Sequence, residues 1–132
     1  MNKGYVGTDL STLVFHDSRN PSHVARRVNT LTKKEALDIG KRFAMLVRAK
    51  FDPEARIFVF GSVIKGTARL GSDIDVAVVS SIFDGDYFRE AGRVSSLAQS
   101  VSWDIEVHAV TSRDWTEGDP HVLEIQKWGI AL

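Results

Sequence analysis

RIFVFGSVIKGTARLGSDIDVAVV, residues 56–79, contains two short apolar runs separated by a loop rich in glycine and serine. The runs, residues 57–60 and 74–79, are rich in β-branched side chains and short enough to be buried strands. We therefore predict two strands of one sheet, joined by a loop of small and basic residues. The rest of the chain is organised around this unit.

The second strand begins with Asp73-Ile74-Asp75. Because alternate side chains of a strand point to the same face, both carboxylates should project together. Two neighbouring anions repel each other, and a hard cation such as Mg²⁺ removes that conflict because it binds carboxylate oxygens. The spacing predicts a metal site formed by Asp73 and Asp75. The alternative is a solvated edge strand on which the carboxylates only prevent aggregation.

The loop between the two strands suits a phosphate group. Gly61 allows close approach of the backbone, and the hydroxyl of Ser62 can bond a phosphate oxygen; the alternative is a plain tight turn. Lys65 and Arg69 either neutralise a triphosphate or belong to the solvated surface. Ser72 either orients the carboxylates or caps the turn. Together with the metal site, these groups predict a binding site for a polyphosphate.

Residues 61–79, GSVIKGTARLGSDIDVAVV, resemble the signature of the nucleotidyltransferase superfamily with the DNA polymerase β-like fold, above all its small stand-alone bacterial members, the minimal nucleotidyltransferases. Six residues fall where that signature puts them: Gly61, Ser62, Gly66, Ser72, Asp73 and Asp75. The resemblance implies transfer of a nucleoside monophosphate from an NTP, with ATP favoured, to an acceptor hydroxyl, with release of pyrophosphate. It also implies two Mg²⁺ ions held by the carboxylates.

The superfamily normally supplies a third carboxylate from a neighbouring strand. Residues 103–110 alternate apolar and polar side chains and are predicted as that strand. Glu106, followed by four strand-like residues, is the preferred candidate for the third catalytic and metal-binding acid. Asp104 lies on the same face, has the residue type more usual at that place, and remains the alternative. His108 shares this face, but a lone histidine is more often a surface group than a base or ligand.

The remaining patterns predict an α+β protein, an α/β sandwich in which a small mixed β-sheet is flanked by helices. Thr32 and Glu35 form a capping box at the start of the first helix, and Asp119-Pro120 starts the last one. Helices are predicted at about 33–50, 86–100 and 121–128, with strands at 56–60, 73–79 and 103–110. We assign residues 31–132 to the nucleotidyltransferase domain and residues 1–30 to an N-terminal extension.

Composition limits the function classes. Lys and Arg number 17, as do Asp and Glu, so nucleic acid bound through its phosphate backbone is not favoured as a partner. Cysteine is absent, which excludes disulfides and thiolate zinc sites. No apolar run approaches the ~18 residues of a membrane span and no signal-peptide pattern occurs, so we expect a cytoplasmic protein.

An acceptor site is difficult to accommodate in so short a chain. We therefore expect a protein partner, or a second copy in a homodimer, to complete it. Minimal nucleotidyltransferases are commonly paired with a helical toxin and can act as antitoxins that modify it, so the resemblance implies a protein acceptor. A small-molecule acceptor is the alternative. A different class of function is a non-catalytic module on the same fold that senses nucleotides or binds a partner.

Overall fold

The computed structural model describes residues 30–132, so the extension predicted at residues 1–30 lies outside the described residues except for Thr30. The helices are α1 Lys33–Lys50, α2 Ser62–Lys65, α3 Tyr87–Val101, α4 Ser112–Glu117 and α5 Pro120–Trp128. The strands are β1 Arg56–Phe60, β2 Ile74–Ser80, β3 Ile105–Thr111 and β4 Ile130–Ala131, and a 3-10 helix follows β2 at Ser81–Asp84.

The four strands form one mixed sheet in the order β3-β2-β1-β4. β1 is antiparallel to both β2 and β4, whereas β2 and β3 are parallel. The parallel pair is joined by a crossover through α3, which is the connection that parallel neighbours require. The predicted α+β class with a small mixed sheet is therefore confirmed.

Two apolar clusters cover opposite faces of this sheet. On one face, α1 and α3 pack over side chains that include Ile74, Val76 and Val78 of β2. On the other face, α5 packs over a smaller cluster that consists of Phe60, Ala77, Val79, Val110, Val122 and Ile125. Since side chains alternate along a strand, Asp75 lies on the second face, beside the α5 cluster. The alternation thus places a carboxylate at the margin of an apolar layer.

The two predicted helix starts have the expected capping contacts. The Thr32 hydroxyl accepts from the Glu35 backbone N–H at 3.0 Å, and the Glu35 carboxylate accepts from the Thr32 N–H at 2.9 Å. The Asp119 carboxylate accepts from the Val122 N–H at 2.9 Å, with Pro120 at the first helical position. Both caps satisfy backbone donors that the first turn of a helix leaves unpaired.

The structure corrects the starts of two strands. β2 begins at Ile74 instead of 73, and β3 begins at Ile105 instead of 103. Residues 103–104 form a turn, because the Ser102 hydroxyl accepts from the Asp104 N–H at 3.0 Å. The Asp104 carbonyl accepts from the Ile74 N–H at 2.7 Å, which ties this turn to the start of β2.

Helix α4 and strand β4 were not predicted. Helix α4 begins after Thr111, whose hydroxyl accepts from the Asp114 N–H at 2.9 Å, and ends at Gly118, which has a φ of 68°. Strand β4 has two residues and exists by pairing with Phe58 and Val59 of β1. Among the helices of residues 30–132, none has the length and apolar character needed to cross a membrane.

Candidate functional site

Adjacent positions of β2 and β3 bring acidic and imidazole side chains together. In the parallel register, Asp75 lies opposite Glu106, and Ala77 lies opposite His108. Glu106 and His108 are two residues apart, so both share the face that carries Asp75. The sheet itself therefore positions three side chains that can bind a cation.

These three side chains form a compact group. His108 Nε2 lies 3.1 Å from Asp75 Oδ1 and 3.9 Å from Glu106 Oε2. One ligand atom from each residue falls within 4.8 Å of the others. The side chains of Asp75 and His108 are each 24% exposed, whereas that of Glu106 is 55% exposed. The donor set of two carboxylates and one imidazole fits a divalent metal ion, and the exposure leaves room for a ligand.

Asp73 is placed differently from its predicted partner. It lies before the first residue of β2, so strand alternation does not fix the direction of its side chain. Among the described residues, the group within 4.8 Å consists of Asp75, Glu106 and His108, without Asp73. The predicted pairing of Asp73 with Asp75 in one metal site thus stays a prediction, while Asp75 and Glu106 are brought together.

The two candidates for the third carboxylate also differ in position. Glu106 is within β3 and faces Asp75 across the strand pair. Asp104 belongs to the turn before β3, where its backbone N–H and carbonyl are both hydrogen-bonded. The register therefore places Glu106, the preferred candidate, opposite Asp75, whereas Asp104 precedes the strand.

Gly61 lies directly against the Asp75 carboxylate. Its φ is 83°, a left-handed conformation that side chains rarely adopt, and it forms the cap of the short helix α2. A Cβ atom at this position would lie 2.2 Å from Asp75 Oδ2. Only glycine therefore lets the loop backbone approach the carboxylate so closely, and Ser62 follows as the first residue of α2.

Lys65, the last residue of α2, is held by α5. Its ammonium lies 2.8 Å from Glu124 Oε2 and 5.6 Å from the centre of the Trp128 ring. The hydrogen bond and the charge of Lys65 lower the pKa of the Glu124 carboxyl, and the negative charge of Asp75 acts weakly in the opposite direction. The ion pair therefore joins the end of α2 to α5.

The two remaining loop residues shape a turn. The Ser72 hydroxyl accepts from the Arg69 N–H at 2.8 Å, and the Ser72 N–H donates to the Arg69 carbonyl at 2.9 Å. Of the two interpretations of Ser72, the contacts show turn capping. Arg69 itself is exposed, so its side chain can reach a ligand in solution.

His108 joins this group, although a lone histidine on a strand is more often a surface group. Its ring packs edge-on against Phe60, with centroids 4.9 Å apart, and lies 5.1 Å from the ring of His121. The available signal was its spacing of two from Glu106, which guarantees a common strand face. Its closeness to Asp75 depends on the register of β2 and β3, which that spacing does not encode.

Comparisons with known proteins identify the family of the chain. The family described as "Nucleotidyltransferase domain" matches residues 41–117, more than half of the chain. Gly61, Asp75, Glu106 and His108 lie within this range. No curated protein matches the chain significantly.

Solved structures that resemble this chain to different degrees include two candidate nucleotidyltransferases and a toxin-antitoxin structure. A candidate nucleotidyltransferase from Sulfolobus solfataricus has a TM-score of 0.56 and 14% identity, over 75% of this chain and 80% of that one, which shows a common fold. Another candidate nucleotidyltransferase has a TM-score of 0.38 and 29% identity, over 64% and 83%. A toxin-antitoxin structure with AMP-PNP has a TM-score of 0.45 and 25% identity, over 70% of each chain. With TM-scores below 0.5, the last two similarities support no argument about this chain.

Proposed function

The chain belongs to the nucleotidyltransferase domain family, and from this premise we propose that it transfers a nucleoside monophosphate from an NTP to an acceptor hydroxyl, with release of pyrophosphate. The observation that carries the proposal is the meeting of Asp75, Glu106 and His108 beside the backbone of Gly61. A loop that approaches a carboxylate this closely can present a phosphate to a cation held there. We place this activity in a domain of residues 31–132.

The acidic residues would hold the cations that this chemistry needs. Asp75 and Glu106 provide carboxylate oxygens on neighbouring strands, and Asp73 is a further proposed ligand. When bound, two Mg²⁺ ions would neutralise phosphate charge and lower the pKa of the acceptor hydroxyl. Glu106, with its exposed carboxylate, is suited to accept the proton from that hydroxyl.

The loop between β1 and β2 would position the triphosphate. Gly61 allows close approach of the backbone, and the Ser62 hydroxyl can donate to a phosphate oxygen. Lys65 and Arg69 supply positive charge, and Glu124 keeps the Lys65 ammonium at the edge of α5. Phosphoryl transfer depends mainly on positioning and charge neutralisation, and these residues provide both.

We propose ATP as the donor and a hydroxyl of a protein or small molecule as the acceptor. The balanced charge of the chain supports an acceptor other than nucleic acid. Because the domain is small, a protein partner or a second copy would complete the acceptor site. Action as an antitoxin that modifies its toxin would be one form of transfer to a protein. A non-catalytic module on this fold would have no need for clustered carboxylates.

Calorimetry with each of the four NTPs, with and without Mg²⁺, tests the proposal on the native chain and on Asp75→Asn. We expect one NTP, ATP first, to bind only when Mg²⁺ is present, and we expect the variant to lose that binding. Failure of every NTP to bind under both conditions would overturn the proposal and leave a partner-binding role as the better account.

A further inference from the structure

Resting on the proposed function, we propose that His108 is a metal ligand and that its site with Asp75 and Glu106 prefers a first-row transition ion, such as Mn²⁺, to Mg²⁺. The imidazole then adds a nitrogen donor to a centre otherwise built from oxygen. One of the two metal positions of the enzyme would thereby differ from the other in the ion that it selects.

The distances within the group fit adjacent ligands of one ion. In an octahedral site with bonds of about 2.1 Å, neighbouring ligand atoms lie about 3.0 Å apart. His108 Nε2 and Asp75 Oδ1 are separated by 3.1 Å, close to this value. Glu106 Oε2 is 3.9 Å from the same nitrogen, and its exposed side chain can rotate to shorten that distance.

The His108 ring is held in place by its neighbours. Phe60 packs against it at an interplanar angle of 69°, and His121 lies on α5 with its ring centre 5.1 Å away. The ring is only partly exposed, and its Nε2 atom contacts the Asp75 carboxylate and lies 3.9 Å from that of Glu106. A nitrogen held in this way loses little side-chain entropy when it binds a metal ion.

The imidazole nitrogen determines which ions bind more tightly to the site. Mg²⁺ is a hard cation that binds oxygen ligands, so an imidazole adds little to its affinity. First-row transition ions accept imidazole nitrogen as readily as carboxylate oxygen, and most of them bind mixed sites more tightly than Mg²⁺ does. His108 therefore raises the affinity of the site for these ions selectively.

Metal binding to the full chain, first stripped of metal, tests the proposal. Titration with Mn²⁺ followed by EPR gives the affinity, and pulsed EPR detects ¹⁴N nuclei bonded to the ion. We expect ¹⁴N coupling in the native chain. His108→Ala and His108→Phe should abolish it and weaken Mn²⁺ binding at least about tenfold, with little change in Mg²⁺ binding measured by competition. The phenylalanine variant keeps an aromatic ring against Phe60.

His121→Ala is the matched control, because His121 also contacts Phe60 but lies outside the group of ligand atoms. This variant should retain the ¹⁴N coupling and lose far less Mn²⁺ affinity than the His108 variants, because Phe60 still packs against the His108 ring. The proposal is overturned if the native chain binds no Mn²⁺, if bound Mn²⁺ shows no ¹⁴N coupling, or if the coupling persists in both His108 variants.

The Mn²⁺ experiment and the NTP-binding experiment can succeed or fail independently. Mn²⁺ bound without nitrogen, together with NTP binding in the presence of Mg²⁺, would reduce His108 to a hydrogen-bond partner of Asp75 and leave the transferase proposal intact. Nitrogen-ligated Mn²⁺ without any NTP binding would establish the metal site and overturn the transferase proposal.

Discussion

The two ends of β2 use acidic side chains in opposite ways. At its carboxyl end, the buried Ser80 hydroxyl donates to Asp52 at 2.6 Å and accepts from the Ile82 N–H at 3.1 Å. Nearby, Asp84 accepts hydrogen bonds from the backbone N–H and the hydroxyl of Ser112. At the amino end, Asp75 is hydrogen-bonded to an imidazole and has a second carboxylate as its neighbour across the strands.

Within one sheet, this difference distinguishes a carboxylate bonded to backbone N–H and hydroxyl groups from carboxylates that lie opposite each other. A carboxylate that accepts from backbone N–H groups and hydroxyls stabilises a connection, because it satisfies donors that would otherwise lack a partner. Carboxylates that converge at a half-exposed site repel each other, so a bound cation stabilises their charged forms. If the two ends divide stability and catalysis between them, substitutions at the carboxyl end should affect folding and those at the amino end should affect the reaction.

We expect the largest loss of activity for Asp75→Asn. Loss of the charge and of one ligand oxygen should lower the rate of pyrophosphate release from the NTP on the order of 1,000-fold. The free energy of unfolding should change little, since the side chain lies at the margin of the core. Steady-state kinetics and chemical denaturation measure the two quantities.

Asp52→Ala is the counterpart at the other end of β2. It removes the acceptor of the buried Ser80 hydroxyl and should lower the free energy of unfolding by about 1–3 kcal/mol. The rate per folded molecule should be unchanged. A rate loss as large as that of Asp75→Asn would contradict the division between the two ends.

Substitution of the third carboxylate should cause the second largest loss of activity. Glu106→Gln removes a charge opposite Asp75 and should lower the rate about 100-fold. Asp104→Asn, in the turn before β3, should leave the rate nearly unchanged. The same kinetic assay compares the two variants, and a larger loss for Asp104→Asn would reverse the assignment.

Two glycine substitutions separate crowding from backbone strain. Gly61→Ala places a Cβ atom against Asp75 and should lower the rate at least about tenfold by displacing that carboxylate. Gly71→Ala has the same conformational cost, since its φ is 85°, but no atom lies within 4 Å of its added Cβ. Both should lose about 1–2 kcal/mol of stability, and only Gly61→Ala should lose activity. Equal rates in the two variants would exclude the crowding explanation.

The smallest expected change is in the pKa of Glu124, which forms an ion pair with Lys65. Lys65 lowers the pKa of Glu124 below its usual value of 4.5, so the pair stabilises the fold above that pH and loses this contribution as the pH falls through the lowered pKa. In Lys65→Met, the Glu124 pKa should rise toward its usual value. An NMR titration of the Glu124 carboxyl measures this shift, and an identical pKa in both proteins would contradict the contact.

Local sequence signals predicted most of the fold. Three of these signals span only a few residues, so they can be recognised without tertiary structure: the capping box at Thr32, the Asp119-Pro120 helix start and the alternation of residues 105–109. Strand β4 has only two residues and owes its existence to pairing with β1, so no pattern could predict it. Helix α4 has two local signals of a short helix, the Thr111 cap and Gly118 after its last residue.

The site was predictable to the extent that it depends on spacing. The Gly61-Ser62 loop and Asp75 follow from the signature, and Glu106 follows from its strand face. The convergence of His108 with Asp75 requires the parallel register of β2 and β3, which arises from packing of the whole sheet. The position of Asp73 depends on a turn whose shape the strand pattern does not describe.

NMR mapping of the bound nucleotide tests the central claim most directly, because it reports which end of the sheet forms the site. The backbone amide shifts of the ¹⁵N-labelled chain would be followed during addition of ATP and Mg²⁺. We predict the largest changes at Gly61, Ser62 and Asp75, with Ser80 and Ser112 unmoved. Changes centred on Ser80 and Ser112, or none at saturating ATP, would contradict the account.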